Sequence, residues 1–308
     1  VTAIEDAART VRDTGGEFRA GGTDVMTRAT RPPVDLLGIP GLRGTTWGPD
    51  GAARIGALAT VADLLADDRL SAAYPALAAT AAAVATPQIR NVATVGGNLL
   101  QRNRCWYPRN TALACHQTGG DTCPARAGAH LYSAVIDQGP CIAPHPSSLA
   151  VALLAYDATV EVHGRSPLGV AELYGDGGDP TRDHRLETGE ILQAVRMPAP
   201  APDERAAYRR ATAREKAEWP LAEAVARLTL DGDTVATAAM AVGGAARTPL
   251  LLPEVAEALI GGPVTEETAT AAADLATARC SPLPGNGYKV ALLRATLIDT
   301  ITACGKTS

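Results

Sequence analysis

Between Arg102 and Pro146 the chain has little with which to build a core. The stretch is polar, weakly periodic and broken by glycine and proline, so it reads as one long functional loop. A chain carrying such a loop must fold as ordered blocks on either side of it. The loop also holds Cys105, Cys115, Cys123 and Cys141, four of the six cysteines. Cys280 and Cys304 stand apart on apolar helical segments, where a thiol reads as a small buried hydrophobe.

The flanking blocks alternate helix and strand patterns. Ile4, Ala7, Ala8 and Val11 recur at helical spacing and stop at Gly15-Gly16. Phe18 and Ala20 lead into Gly21-Gly22-Thr23-Asp24. Val25 to Arg31 then reads as a short helix and Val34 to Ile39 as a short apolar strand. Ala53 to Ala57 predicts a second strand, Thr60 with Asp63 a capped helix start, and the alanine-rich run Tyr74 to Ala85 a helix stopped before Pro87. From Gln88 to Gln101 glycine and asparagine argue against a continuous helix.

Beyond the loop, Ser148 to Tyr156 predicts a helix, Thr159 to His163 a strand, Gly164 to Gly189 a connection, and Ile191 to Met197 another strand. Ala199-Pro200-Ala201-Pro202-Asp203 is an extended linker, which puts a domain boundary near it. Two apolar runs, Leu221 to Leu230 and Thr234 to Val242, precede helices over Val255 to Leu259, Glu266 to Ala278 and Lys289 to Thr302. The fold class expected is α+β, in several domains, because 308 residues exceed what one ordinary core supports.

Charge and hydropathy exclude some functions. A net charge of −5 without a long basic run argues against a nucleic-acid partner. No window approaches the roughly 18 uninterrupted apolar residues of a membrane span. The opening Val1-Thr2-Ala3-Ile4-Glu5-Asp6 lacks the features of a secretory signal, so the expected location is cytoplasmic, with a periplasmic one only by export with a partner subunit. Reducing conditions there argue against a disulfide framework.

Two turns, Ala20-Gly21-Gly22-Thr23-Asp24 and Thr94-Val95-Gly96-Gly97-Asn98, have the composition of an anion nest, in which glycine lets backbone N–H groups converge on a phosphate oxygen. Neither fits the usual dinucleotide or Walker A pattern, and a plain tight turn is the alternative for each. The loop cysteines are separated by nine, seven and seventeen residues. Zinc knuckles need closely spaced pairs, whereas iron–sulfur ligands come from widely spaced positions, so the spacing favours iron–sulfur. Unliganded thiols are the alternative, and His116, His130 and His145 are either further ligands or packing residues.

The segments Phe18 to Val25 and Gln88 to Leu99 together resemble the FAD-binding medium subunit of the xanthine dehydrogenase family of molybdenum hydroxylases. The resemblance continues through Ile55 to Thr60, Cys141 to Ala150 and Tyr156-Asp157-Ala158. Gln101 to Tyr107, with the later three cysteines, is similar to the branch represented by the periplasmic aldehyde oxidoreductase and 4-hydroxybenzoyl-CoA reductase, whose flavin subunits carry an extra [4Fe-4S] cluster.

The resemblance implies an FAD domain of two α/β subdomains, at 1–55 and 56–198, and an α+β C-terminal domain of the CO dehydrogenase flavoprotein type at 199–308. It implies a flavin held by Ala20, Gly21, Gly22, Thr23, Asp24, Thr94, Gly96, Gly97 and Asn98, with Ser148 and Lys216 as further neighbours, and Cys105, Cys115, Cys123 and Cys141 as cluster ligands. The chain departs from the family at Pro146-Ser147-Ser148, where Ser148 replaces an acidic residue. The partners implied are a large molybdopterin subunit and a small subunit with two [2Fe-2S] clusters, and electrons leave to an external acceptor. With flavin as the redox group, no catalytic side chain is required. The competing readings are a stand-alone flavin oxidase or dehydrogenase and a zinc-stabilised scaffold.

Overall fold

The structure, a computed structural model, describes residues 3–27, 31–214 and 217–306. Helix α1, Ile4–Thr14, buries Ala7, Ala8 and Val11 and ends on Gly15 in the left-handed conformation. It covers two short parallel strands, β1, Glu17–Arg19, and β2, Pro33–Asp35. The expected helix over Val25 to Arg31 is, where described, a single 3-10 turn at Val25–Thr27. The strand expected over Val34 to Ile39 is confined to β2, because the Asp35 carboxylate accepts from Leu37 N at 2.8 Å and turns the chain.

The next unit is built on a five-stranded antiparallel sheet in the order β3-β4-β7-β5-β6. Its first two strands are β3, Thr45–Trp47, and β4, Ala53–Gly56. Five helices follow: α2, Val61–Ala66, α3, Asp68–Ala73, α4, Pro75–Ala83, α5, Pro87–Arg90, and α6, Val95–Leu99. Thr60 caps α2 in a full capping box with Asp63, as its spacing predicts. Residues 102–146 then run without an α-helix or strand, through three 3-10 turns. Order returns in α7, Ser148–Ala155, all of whose residues are buried. A helix apolar on every side must be covered on every side. Helices α4 and α6 pack against α7, and so does the C-terminal sheet.

Strand β5, Thr159–Val162, is followed by β6, Leu168–Gly169, α8, Val170–Tyr174, and β7, Leu192–Met197. Gly164 to Gly189 is therefore more than a connection. Its helix buries Val170, Leu173 and Tyr174, but five residues are too few to display a period.

The last unit is a four-stranded antiparallel sheet in the order β11-β10-β9-β8. It comprises β8, Glu204–Ala211, β9, Ala222–Asp231, β10, Thr234–Gly243, and β11, Leu250–Leu251. Strand β8 carries four charged residues in eight and gives no alternating signal, yet it pairs in register with β9 from Glu204↔Thr229 to Ala211↔Ala222. Helices α9, Pro253–Glu257, α10, Glu266–Ala278, and α11, Tyr288–Gly305, complete a separate hydrophobic core.

Lys289 fastens this unit to the cysteine-bearing loop. Its buried ammonium donates to the carbonyls of Ser133 at 2.9 Å, Tyr132 at 3.2 Å and Gly244 at 2.6 Å. Burial pushes its pKa down to about 7. The folded protein then binds fewer protons than the unfolded chain between that value and the ordinary lysine pKa of about 10.4. Stability relative to Lys289→Met is accordingly expected to be flat below pH 7 and to rise from pH 7 to 10. Thermal melts of both proteins across that range check the slope.

Candidate functional site

A cleft of about 1240 Å³, open solvent included, runs between the first unit and the middle sheet. One wall is Phe18 and the turn Ala20 to Asp24; the floor is Ala57, Leu58, Thr94, Gly96 and Gly97. The opposite wall is His184 and Leu186 to Leu192, and Gln101 and Arg102 close one end. Residues far apart in sequence meet here because Leu58 N donates to Leu42 O at 2.7 Å and Leu58 and Ile191 pack with Ala7, Ala8 and Val11 of the first unit in one apolar cluster.

The two glycine turns play different parts. Among the described residues, Gly21, Gly22 and Thr23 donate no backbone N–H to any backbone carbonyl, so the first turn has donors to offer an anion. A Cβ on Gly21 would stand 1.6 Å from Val92 O, and Gly22 has φ 76°. Only glycine is accommodated at either position. In the second turn the donors are already used: Val95 N reaches Ala59 O, Gly96 N reaches Ala57 O, and Gly97 N reaches the Thr94 hydroxyl at 3.1 Å. Gly96 is there for contact, since a Cβ would meet that of Ala57 at 2.9 Å. The second turn forms a close-packed floor, and the anion-nest expectation applies to the first alone.

Beside this cleft lies a second, smaller cavity. Cys105, Cys115, Cys123 and Cys141 all line it, with His116 and Asn103. Burial pushes the Cys105 thiol up to about 11, and the nearby Cys141, Cys123 and Cys115 add to that. Burial also raises the Cys141 thiol, so these two resist ionisation until a cation arrives to balance them. Among the described residues no three His, Cys, Asp or Glu side chains converge closely enough for a single metal ion. His130 is committed elsewhere, accepting from Gly285 N at 3.0 Å. His145 is buried against Tyr174, and burial pushes its ring down to about 3, so it stays neutral. Cys304 is buried in the C-terminal core and Cys280 packs against it.

A buried ion pair, which lines a third cavity with Tyr174 and His184, lies beside the cysteine-bearing loop. Asp183, fully buried, faces Arg247 Nη2 at 2.8 Å. It also accepts from Asn103 Nδ2 at 2.9 Å and Gln117 Nε2 at 3.0 Å. Burial by itself would raise the Asp183 carboxyl, but Arg247 holds it well below the usual carboxylate range. Arg247 also donates to Ala143 O and Arg182 O.

Ala20, Gly21, Gly22, Thr23, Asp24, Thr94, Gly96 and Gly97 thus come together in the cleft. Asn98 does not line it; its side chain accepts from the Ser147 hydroxyl at 2.8 Å. Ser148 is buried beneath the C-terminal sheet, where the Tyr208 hydroxyl donates to the Glu223 carboxylate at 2.7 Å and burial raises the Glu223 pKa. Lys216 lies outside the described residues. The wall from His184 to Leu192, and Asp183 with Arg247, carried no sequence signal beyond a polar, glycine-bearing stretch.

Comparison with known proteins supplies the family. The FAD binding domain in molybdopterin dehydrogenase matches residues 2–200, and the CO dehydrogenase flavoprotein C-terminal domain matches 206–303. The aldehyde oxidoreductase FAD-binding subunit PaoB of Escherichia coli (strain K12) is 33% identical over 97% of this chain and 95% of its own. The putative xanthine dehydrogenase FAD-binding subunit XdhB of the same organism is 29% identical over 81% and 73%. A crystal structure of Cu,Mo-CO dehydrogenase shares the fold, with TM-score 0.77 and 22% identity over 99% of this chain and 96% of that one. With a family match across most of its length and a relative this similar from end to end, the chain belongs to the FAD-binding subunits of the xanthine dehydrogenase and CO dehydrogenase family of molybdenum hydroxylases.

Proposed function

We propose that this subunit passes electrons between partner iron–sulfur clusters and an external acceptor through FAD, and that Cys105, Cys115, Cys123 and Cys141 hold a [4Fe-4S] cluster. The observation that carries the reading is that the cleft and the four-thiol cavity abut, with Arg102 lining one and Cys105 the other. Flavin and cluster, when bound, supply the redox chemistry. The chain's own residues bind and orient. Gly21, Gly22 and Thr23 offer N–H groups to the pyrophosphate, Thr94 to Gly97 form the floor, and Leu186 and Ile191 exclude water from the apolar side.

An all-thiol donor set drawn from four separate points of a loop fits a cluster of several irons better than a single zinc, for which no closer group exists among the described residues. The division at 1–55, 56–198 and 199–308 is part of the same reading: two subdomains enclose the cofactor and the third covers α7. The partners proposed are a molybdopterin subunit and a [2Fe-2S] subunit, in line with relatives named as aldehyde oxidoreductase and xanthine dehydrogenase subunits.

Spectroscopy and metal analysis test this. The purified protein is expected to show flavin bands over a broad shoulder, both bleached on reduction. Iron is expected near four per chain, the content of one such cluster. Cys123→Ser is expected to lose the shoulder and most of that iron. A colourless protein containing zinc would overturn the proposal, and turnover of a small substrate by this chain alone would favour a self-contained flavoenzyme.

A further inference from the structure

The first glycine turn contains an acid. Asp24 stands in a loop whose unused N–H groups suit an anion, and its carboxylate, with a side chain only 13% exposed, would repel a phosphate placed there. Three partners of its carboxylate come from the cysteine-bearing segment. Arg102 N donates to Asp24 Oδ2 at 3.2 Å, Arg104 Nη1 pairs with Asp24 Oδ1 at 2.9 Å, and Arg109 Nη2 lies 4.0 Å from the same oxygen. The arginines are in turn held by their own segment. Arg109 donates to Asn103 O, Arg104 donates to Gln101 Oε1, and the Arg104 guanidinium lies 4.5 Å from the centre of the Trp219 ring.

Residues 101–109 therefore belong to both sites. Gln101 and Arg102 close the cleft, Asn103, Cys105 and Tyr107 line the thiol cavity, and Arg104 and Arg109 reach back to Asp24. Arg102 and Cys105 are three residues apart, within ~11 Å along the chain. The segment has no sheet or α-helix of its own to fix these arginines. Asn103 is tied to Asp183 and Gln117, and Cys105 is the point at which a cross-link through the other cysteines would fix the rest of the segment.

We propose that Asp24 is a positioning residue that couples the two sites: a cysteine segment locked around its cluster holds Arg104 and Arg109 on Asp24, and Asp24 so neutralised leaves the first glycine turn able to take the FAD pyrophosphate. The inference rests on the cluster reading above. When the segment is unlocked, the carboxylate loses the charges of Arg104 and Arg109 beside the phosphate and FAD binds more weakly. Coupling is reciprocal, so bound FAD also slows loss of the cluster.

The test uses the full chain with the subunits that accompany it. The protein is deflavinated, and FAD affinity is measured by quenching of flavin fluorescence before and after the cluster is removed from the folded protein with ferricyanide and EDTA. Cys123→Ser provides the same comparison without chemical treatment. Removal of iron is expected to weaken FAD binding by on the order of tenfold, within the usual range of coupling between sites. In Asp24→Asn, which keeps the shape without the charge, the ratio is expected to fall below about threefold whatever its absolute affinity. A purely structural role for Asp24 would weaken both states and leave the ratio intact. Unchanged FAD affinity after verified iron loss, or an undiminished ratio in Asp24→Asn, overturns the coupling while leaving both cofactors in place. A wild-type protein that never contains iron overturns the cluster reading, and the inference with it.

Discussion

Gly21→Ala is expected to yield a folded protein that has lost its flavin. The added methyl would stand 1.6 Å from the Val92 carbonyl oxygen, and neither partner is a flexible side-chain end that could swing away. The turn must therefore move off the second loop, and its N–H groups move with it. Overpacking of this kind costs about 3 kcal/mol or more, which as lost affinity is roughly a hundredfold. Flavin-to-protein absorbance after gel filtration, followed by FAD titration, measures it. Gly41→Ala is the control: unlike Gly21, Gly41 has positive φ, at 78°, but an added methyl there would meet nothing within 4 Å, and the position is remote from the cleft. It is expected to cost about 1–2 kcal/mol of stability and to keep its flavin.

The second large effect is expected at the Asp183–Arg247 pair. Asp183→Ala leaves the Arg247 guanidinium, 2% exposed, without its counter-charge, and removes the acceptor for Asn103 and Gln117. Breaking one partner of a buried pair costs about 3–5 kcal/mol, which lowers the melting temperature by roughly 10 °C for a protein of this size. Arg247→Met is expected to be comparably harmful, and the double variant less harmful than the sum. The pH dependence has a definite sign. Because the folded carboxyl lies below its ordinary value, the pair's contribution is fully present above about pH 4 and declines as pH falls through the folded pKa. Wild type and Asp183→Ala should therefore converge in stability only in strong acid, and thermal melts between neutral pH and pH 2 check this.

The elements that were legible are those whose residues carry their own pattern. Helix α10 coincides with its expected span because alternating small and polar residues run unbroken from the Thr265 cap. Helix α7, β9 and β10 were evident as apolar runs. Strand β8 was not, because its Arg, Glu and Tyr side chains find partners on other elements: Tyr208 on Glu223, Arg210 on Ala83 O, and Arg205 on Gly305 O. Polar groups satisfied at a distance leave no local trace.

The same distinction runs through the site. Residue type and short spacing were enough for the α+β class, both glycine turns and the four loop cysteines, and the resemblance of whole motif segments pointed to the family. That the two turns are unlike, one with donors to offer and the other a packed floor, emerged only in three dimensions, because it depends on which distant carbonyls the amides meet. So did the anchoring of residues 102–146, which lack a core of their own and are held by Asp183, Arg247 and Lys289 from three different parts of the chain. A segment without internal periodicity is ordered by long-range contacts, and those exist only once the chain has folded.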